Sequence, residues 1–342
     1  HQLRVGLAGD RDGYYRDFTG SLEDTARTLA DGWFFQGQHS EHFGGSRGTD
    51  PRAVPPRHFI VFLQNHDQIG NRAMGVRLHH QIDAAQWRAA SVLLLLAPET
   101  PLLFMGQEWG ASSPFQYFTD HDEGLGRLVA EGRRRELAAF TAFSGREAIE
   151  RIPDPQAEAT FGRSRLDWQE RTREPHASLL RLYRALLSLR AELGLGRLER
   201  SDDRVSGRRG ELVLEVARSG ERRVLVVVRL SGTGALDSGR PDPEMSPELA
   251  DRRGKDPPST RSDLRHGLLG QGRWRVRLTT EEEEFTSDPQ PPEVAALFPH
   301  PLVAFRRAGA AVLTLERPAR AAGSRGQPAQ SSRRGRLRSR GK

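Results

Sequence analysis

The stretch 59–71 reads FIVFLQNHDQIGN, a run of apolar strand-formers that ends abruptly in Asn65, His66 and Asp67. A buried strand that delivers an imidazole and a carboxylate at its C-terminal tip, then turns through Gly70, has the layout of a barrel-enzyme active site. Such enzymes gather their catalytic groups from several strand ends, so one strand supplies only part of the machinery. The simpler reading is a buried strand followed by a polar turn. The residue types alone leave both readings open.

Other residues with chemical potential surround this stretch. Trp33, Phe34 and Phe35 are consecutive aromatics, and neighbouring side chains cannot all face one core, so at least one points to solvent or to a ligand. Gln68 and Arg72 either reach a substrate from the turn or satisfy backbone groups. The pairs His39/His42 and His79/His80 have no third ligand at metal-binding spacing and read as solvated loop histidines. Asp10 and Asp12 lie in a polar glycine loop, where solvation is favoured over catalysis.

The elements that position these groups follow from patterning. Ser21 with Asp24 three residues on predicts a helix start, and Leu22, Ala26 and Leu29 give that helix an apolar face. A short strand is predicted at Trp33–Gln38, a long Gly/Pro/Arg loop over 39–57, and the strand at 59–65. A helix over Ala84–Leu96 and a buried strand at Pro101–Met105 come next. Alternating strands and helices at this spacing are β/α units. Only three or four strands are predicted where a closed barrel needs eight, so the chain is expected to begin inside a barrel. Residues 120–150 read as a loop and a charged helix, and Ser178–Leu193 as a helix with Leu179, Leu182, Leu186 and Leu189 on one face.

After about residue 200 the pattern turns to strands: 211–217, 223–230, 274–278, 303–305 and 311–315. Their alternation and β-branched content predict an antiparallel β-sandwich. The expected fold class is therefore α/β, the C-terminal part of a (β/α)8 TIM barrel over 1–198 followed by a β-sandwich over 199–318. A disordered insert near 237–265 and a disordered basic tail over 319–342 complete the predicted layout.

The net charge of +7 invites a nucleic-acid reading, but nine of the 52 basic residues and none of the acids fall in 317–342. The other 316 residues carry −2, which provides no basic field for a polyanion. No apolar run approaches the roughly 20 residues of a membrane span. The absence of cysteine rules out disulfides and thiolate metal sites, and it fits a reducing, cytoplasmic setting.

The segment FxxNHD, here Phe62 to Asp67, resembles the fourth signature of the α-amylase superfamily of glycoside hydrolases. The longer string LQNHDQIGNRAMGVRL (63–78) is similar to the malto-oligosyltrehalose trehalohydrolase branch of that superfamily. So are GDRDGYYRDF (9–18), PETPLLFMGQEWGASSPFQYFTDH (98–121), EGRRREL (131–137), PDPQAEATFGRSRLDW (153–168) and HASLLRLYRALLSLR (176–190). The match is dense over 1–198 and loose over 205–315.

The resemblance implies a retaining glycosidase of trehalose biosynthesis. It would cut the α-1,4 bond next to the terminal trehalose of malto-oligosyltrehalose, with two carboxylates about 5 Å apart. Asp67 matches a third carboxylate that stabilises the oxocarbenium-like transition state, and His66 matches an imidazole that donates to the same sugar. Asn65, Gln68, Arg72, Phe34 and Phe35 become candidate substrate contacts. Phe115, Tyr117 and Phe118 line the last loop, where packing is the favoured role. Glu108 matches an acid that holds the barrel rim or touches sugar, with the rim role favoured.

The nucleophilic Asp and the acid Glu of the superfamily precede the GDRDGYY segment, so both are expected upstream of His1, and the chain alone is expected to be inactive. No cofactor and no metal are implied. The implied partner is malto-oligosyltrehalose or another α-glucan oligosaccharide, with no nucleic acid and no membrane. The alternatives are a non-hydrolytic glucan-binding remnant and a glycogen branching or debranching enzyme; the 131–137 and 154–161 strings argue against the second.

Overall fold

A computed structural model describes residues 1–138, 150–199, 203–208, 210–217, 223–237, 273–297 and 300–316. The predicted insert beyond residue 237 and the predicted tail lie outside these residues.

Helix α1 (Gln2–Ala8) stops at Gly9, and α2 (Leu22–Asp31) starts at Ser21, whose side-chain oxygen accepts from the Asp24 amide. The strand expected at Trp33–Gln38 lies later, as β1 (Gln36–Ser40). It forms an antiparallel hairpin with β2 (Gly45–Gly48) inside the stretch expected to be loop. Both strands are polar and largely exposed, so they lack the apolar alternation by which a strand is read.

Strand β3 (Ile60–Val61) pairs in parallel with β4 (Thr100–Pro101). The crossover between them passes through α3 (His66–Gly70) and α4 (Ala84–Leu96), so the unit is strand–helix–strand as expected. Both strands are much shorter than the predicted 59–65 and 101–105. Among the described residues neither has a second neighbour to extend the ladder, and Leu102 and Met105 are exposed instead of buried.

Helix α4 begins with a capping box, in which the Asp83 and Gln86 side chains and backbones satisfy one another. Every residue from Trp87 to Leu96 is buried, which explains its lack of an amphipathic pattern. On one side it packs against α7 (His176–Glu192); α5 (Glu123–Ala138) and α6 (Glu158–Ser164) lie between α4 and α7 in the chain. Arg190 of α7 donates to the carbonyls of Leu95 (3.0 Å), Ala97 and Glu99 (2.6 Å), closing the C-terminal end of α4.

On its other side α4 meets a five-stranded antiparallel sheet. That sheet is built from β5 (Asp203–Arg208), β6 (Glu211–Ala217), β7 (Arg223–Arg229), β9 (Arg273–Thr279) and β12 (Gly309–Glu316), in the order β5-β6-β7-β12-β9. A second antiparallel sheet, from β8 (Gly234–Asp237), β10 (Glu293–Ala295) and β11 (Leu302–Phe305), has the order β10-β11-β8. Alternation along β7 assigns its side chains to two cores. Val224, Val226 and Val228 pack with α4 and α7, whereas Leu225 and Val227 pack with Leu236, Val303 and Phe305 of the smaller sheet. The main cluster therefore runs across the expected boundary near residue 198.

A buried charge cluster fastens the same junction. Glu281, 1% exposed, accepts from Arg88 of α4 at 2.8 and 2.6 Å and pairs with Arg307 at 2.8 Å. No helix among the described residues is long and apolar enough to cross a membrane.

Candidate active site

The site is built on the end of β3. Gln64 is fully buried and its side-chain oxygen accepts from the Leu78 amide at 2.9 Å, anchoring the backbone just before the polar triplet. Asn65 is extended, and its side-chain oxygen accepts from the Gln68 amide at 2.8 Å. Asn65 thus acts as an N-cap, and the chain passes directly into helix α3 instead of the polar turn expected there.

The cap sets the direction of the next two side chains. His66 and Asp67 stand in the first helical turn, 68% and 67% exposed, with Nε2 of His66 3.3 Å from Oδ1 of Asp67. Gln68, Ile69 and Gly70 turn inward. Gln68, a candidate either for a substrate contact or for satisfying backbone groups, is 4% exposed. Helical periodicity decides the outcome: position 68 faces the core that positions 66 and 67 avoid.

His66 and Asp67 line a cavity of about 150 Å³ together with Gly70, Asn71 and the segment 115–118. Among the described residues Asp67 is the only carboxylate that lines it. The aromatic segment is fixed from behind by a buried cation and two imidazoles. Arg77 donates to the carbonyls of Ser113 (2.7 Å) and Met105 (2.8 Å), and its burial lowers its pKa to about 10. His79 and His80 lie 3.0 and 2.9 Å from the Ala111 carbonyl and tie the loop; His79 is half-buried, whereas His80 is exposed as expected. Burial lowers the His79 pKa to about 3, which keeps its ring neutral.

The Phe115 amide donates to the Gly75 carbonyl at 2.9 Å. Gly75 has φ 62°, and a Cβ there would meet the Phe115 carbonyl at 2.5 Å, so this close approach requires glycine. A ladder of edge-on rings then runs Phe104–Phe115–Phe118–Phe161, with centroids 5.0, 5.7 and 5.2 Å apart. Tyr117 is 41% exposed at the rim.

Asn71 also borders a second cavity of about 340 Å³, lined by Arg72, Asp10, Tyr14 and Glu136 among others. Asp10 is not a solvated loop acid. It accepts from the buried Arg4 of α1 and from Arg72 at 2.9 Å, joining α1 to the backbone after α3. Arg72 is accordingly engaged in an ion pair beside Asp67's cavity and does not line it.

Three further candidates lie elsewhere. Phe35 is buried, and Phe34 packs with it against Val5, Tyr15 and Phe18; Trp33 is the exposed member of the three, its ring nitrogen donating to the Thr49 carbonyl at 2.9 Å. Glu108 sits in a 3-10 turn, where its charge supports the buried Arg77, and it lines neither cavity. Asn71 and Arg133 border or support the site and were not singled out from sequence. For Arg133 a signal existed: a charged residue falls in the stripe Gly126, Ala130, Arg133, Leu137, where helical spacing predicts burial.

The parallel strand–helix–strand unit with Asn-His-Asp after its first strand, joined to antiparallel sheets, resembles part of an α-amylase-type fold. A solved structure described as an alpha amylase from Salmonella typhimurium superposes with a TM-score of 0.66 at 29% identity, over 92% of this chain and 45% of the other. No family model matches the chain. Malto-oligosyltrehalose trehalohydrolase from Deinococcus radiodurans is 44% identical over 234 residues, covering 66% of this chain and 38% of that protein. Its namesake from Arthrobacter ramosus is 41% identical over 244 residues, covering 70% and 40%. The chain is similar to malto-oligosyltrehalose trehalohydrolases and spans about two fifths of the length of these relatives.

Proposed function

We infer that the chain serves a glycoside hydrolase of trehalose biosynthesis, acting on the α-1,4-glucosidic bond beside the terminal trehalose of malto-oligosyltrehalose. The two sheets would be the β-sandwich that follows a (β/α)8 barrel in such enzymes. The observation that carries the reading is the pair His66 and Asp67, both exposed in the first turn of a capped helix, on the wall of a cavity bordered by aromatic rings. Asp67 would hold sugar hydroxyls as positive charge develops at the anomeric carbon, and His66 would donate to the same ring.

Retaining hydrolysis needs two carboxylates about 5 Å apart in addition to that role. Among the described residues Asp67 is the only carboxylate lining the cavity, so the isolated chain is expected to release no trehalose. The same observation favours a second reading, a non-hydrolytic glucan-binding protein built on this framework.

The test places Asp67→Asn at the matching position of a full-length relative. Turnover is expected to fall about a thousandfold while substrate affinity stays within about threefold, because the lost contact matters most in the transition state. Near-normal turnover would defeat the assignment.

A further inference from the structure

Helix α5 buries the stripe Gly126, Ala130, Arg133 and Leu137. Within the run Arg133–Arg135 only the first is buried; Arg134 and Arg135 are exposed. A guanidinium is costly to bury, so the groups that compensate it show what it is for. Its Nη2 donates to the Gly70 carbonyl at 2.5 Å, and its Nη1 donates to Glu136 at 3.2 Å. Its central carbon lies 5.2 Å from the centroid of the Tyr117 ring. Gly70 is the last residue of α3, and both Gly70 and Tyr117 line the cavity that holds His66 and Asp67. One buried cation therefore touches the helix that carries Asp67 and the aromatic rim of the same cavity.

We propose that Arg133 is a positioning residue for glycan recognition, fixing the Tyr117 ring relative to α3 so that ring and Asp67 carboxylate meet one glucosyl unit. The inference rests on the glycan-cleft reading above. Its chemistry is particular to arginine. The carbonyl at a helix end lacks an intrahelical donor, and a planar fork can fill that vacancy while lying against an aromatic ring. A lysine ammonium supplies the charge and one directed bond but not the flat surface. Simple gap-filling by the arginine stem would be satisfied by lysine as well, and this separates the two roles.

The experiment uses the full 342-residue chain with isotope-labelled tyrosine rings, titrated with maltotetraose and followed by NMR and calorimetry. The sequence has four tyrosines, and Tyr117→Phe identifies the signal of interest. Maltotetraose should shift the Tyr117 signal of the unsubstituted chain. Arg133→Lys should keep the thermal midpoint within about 2 °C, yet move the sugar-free Tyr117 signal and weaken maltotetraose about tenfold. Arg133→Gln should weaken it at least as much, and Tyr117→Leu, a surface change, should reproduce the loss.

Unaltered affinity in Arg133→Lys and Arg133→Gln, with maltotetraose still bound by the unsubstituted chain, would overturn the positioning role and leave the cleft reading intact. So would normal affinity in Tyr117→Leu, should the arginine variants fail to fold. No maltotetraose response at Tyr117 in the unsubstituted chain would instead remove the cleft reading, and the recognition role with it.

Discussion

Replacing Glu281 with alanine removes the carboxylate that binds helix α4 to the five-stranded sheet. In the native chain Glu281 is 1% exposed and accepts two hydrogen bonds from Arg88, at 2.8 and 2.6 Å, while Arg307 approaches it at 2.8 Å. Without it two cations remain, and they fare differently. Arg307, 23% exposed, still has Asp288 at 2.7 Å and can rehydrate. Arg88, at 9%, cannot.

Breaking a buried pair costs about 3–5 kcal/mol, and the partial escape of Arg307 places the expected loss near the lower figure, about 3 kcal/mol. At roughly 2 °C per kcal/mol for a chain of this size, the thermal midpoint should drop by about 6 °C. The internal control is Glu293→Ala, whose partner Arg306 is 70% exposed, and there the loss should stay within about 1 kcal/mol. Denaturant unfolding followed by far-ultraviolet circular dichroism measures both. Removing both ends of the main pair, as in Arg88→Met with Glu281→Leu, should recover most of the stability, because the penalty comes from the orphaned charge. If Glu281→Ala costs no more than Glu293→Ala, the cluster does not hold the junction and the reasoning fails.

Two further outcomes follow from the site's supports. Neutral His79, with its folded pKa near 3 against 6.5 for the free side chain, contributes stability that is present above about pH 6.5 and is lost as pH falls from there towards 3. The slope approaches about 1.4 kcal/mol per pH unit. His79→Gln should flatten the difference between the two unfolding curves over pH 7 to 5; parallel curves would show that the imidazole is not held neutral. Asn65→Ala should cost about 1 kcal/mol and speed amide exchange at Gln68, while Asn65→Asp keeps the cap and changes little. Unchanged exchange at Gln68 in the alanine variant would mean that the cap does not set the start of α3.

Helix α4 was legible to the residue, because a long apolar run is a local property of the chain. The strands 211–217 and 223–229 were equally legible from alternation and β-branching. So was the chemical character of Asn65, His66 and Asp67, since residue type and adjacency need no fold. The ends of strands β3 and β4 were not, because a ladder's length depends on which neighbours supply hydrogen bonds, a relation between segments distant in sequence. The polar hairpin of β1 and β2 escaped for a related reason: its pairing is made by backbone, which leaves no mark in side-chain hydropathy.

Only the tertiary structure decided which candidates share a cavity. It left Asp67 exposed beside Tyr117, put Arg72 on Asp10, and sank Phe35 and Gln68 into the interior. It also turned one arginine of three into a brace between α5, α3 and the rim. Burial and distance are properties of packed surfaces, and packing is settled by contacts that no single stretch of sequence contains.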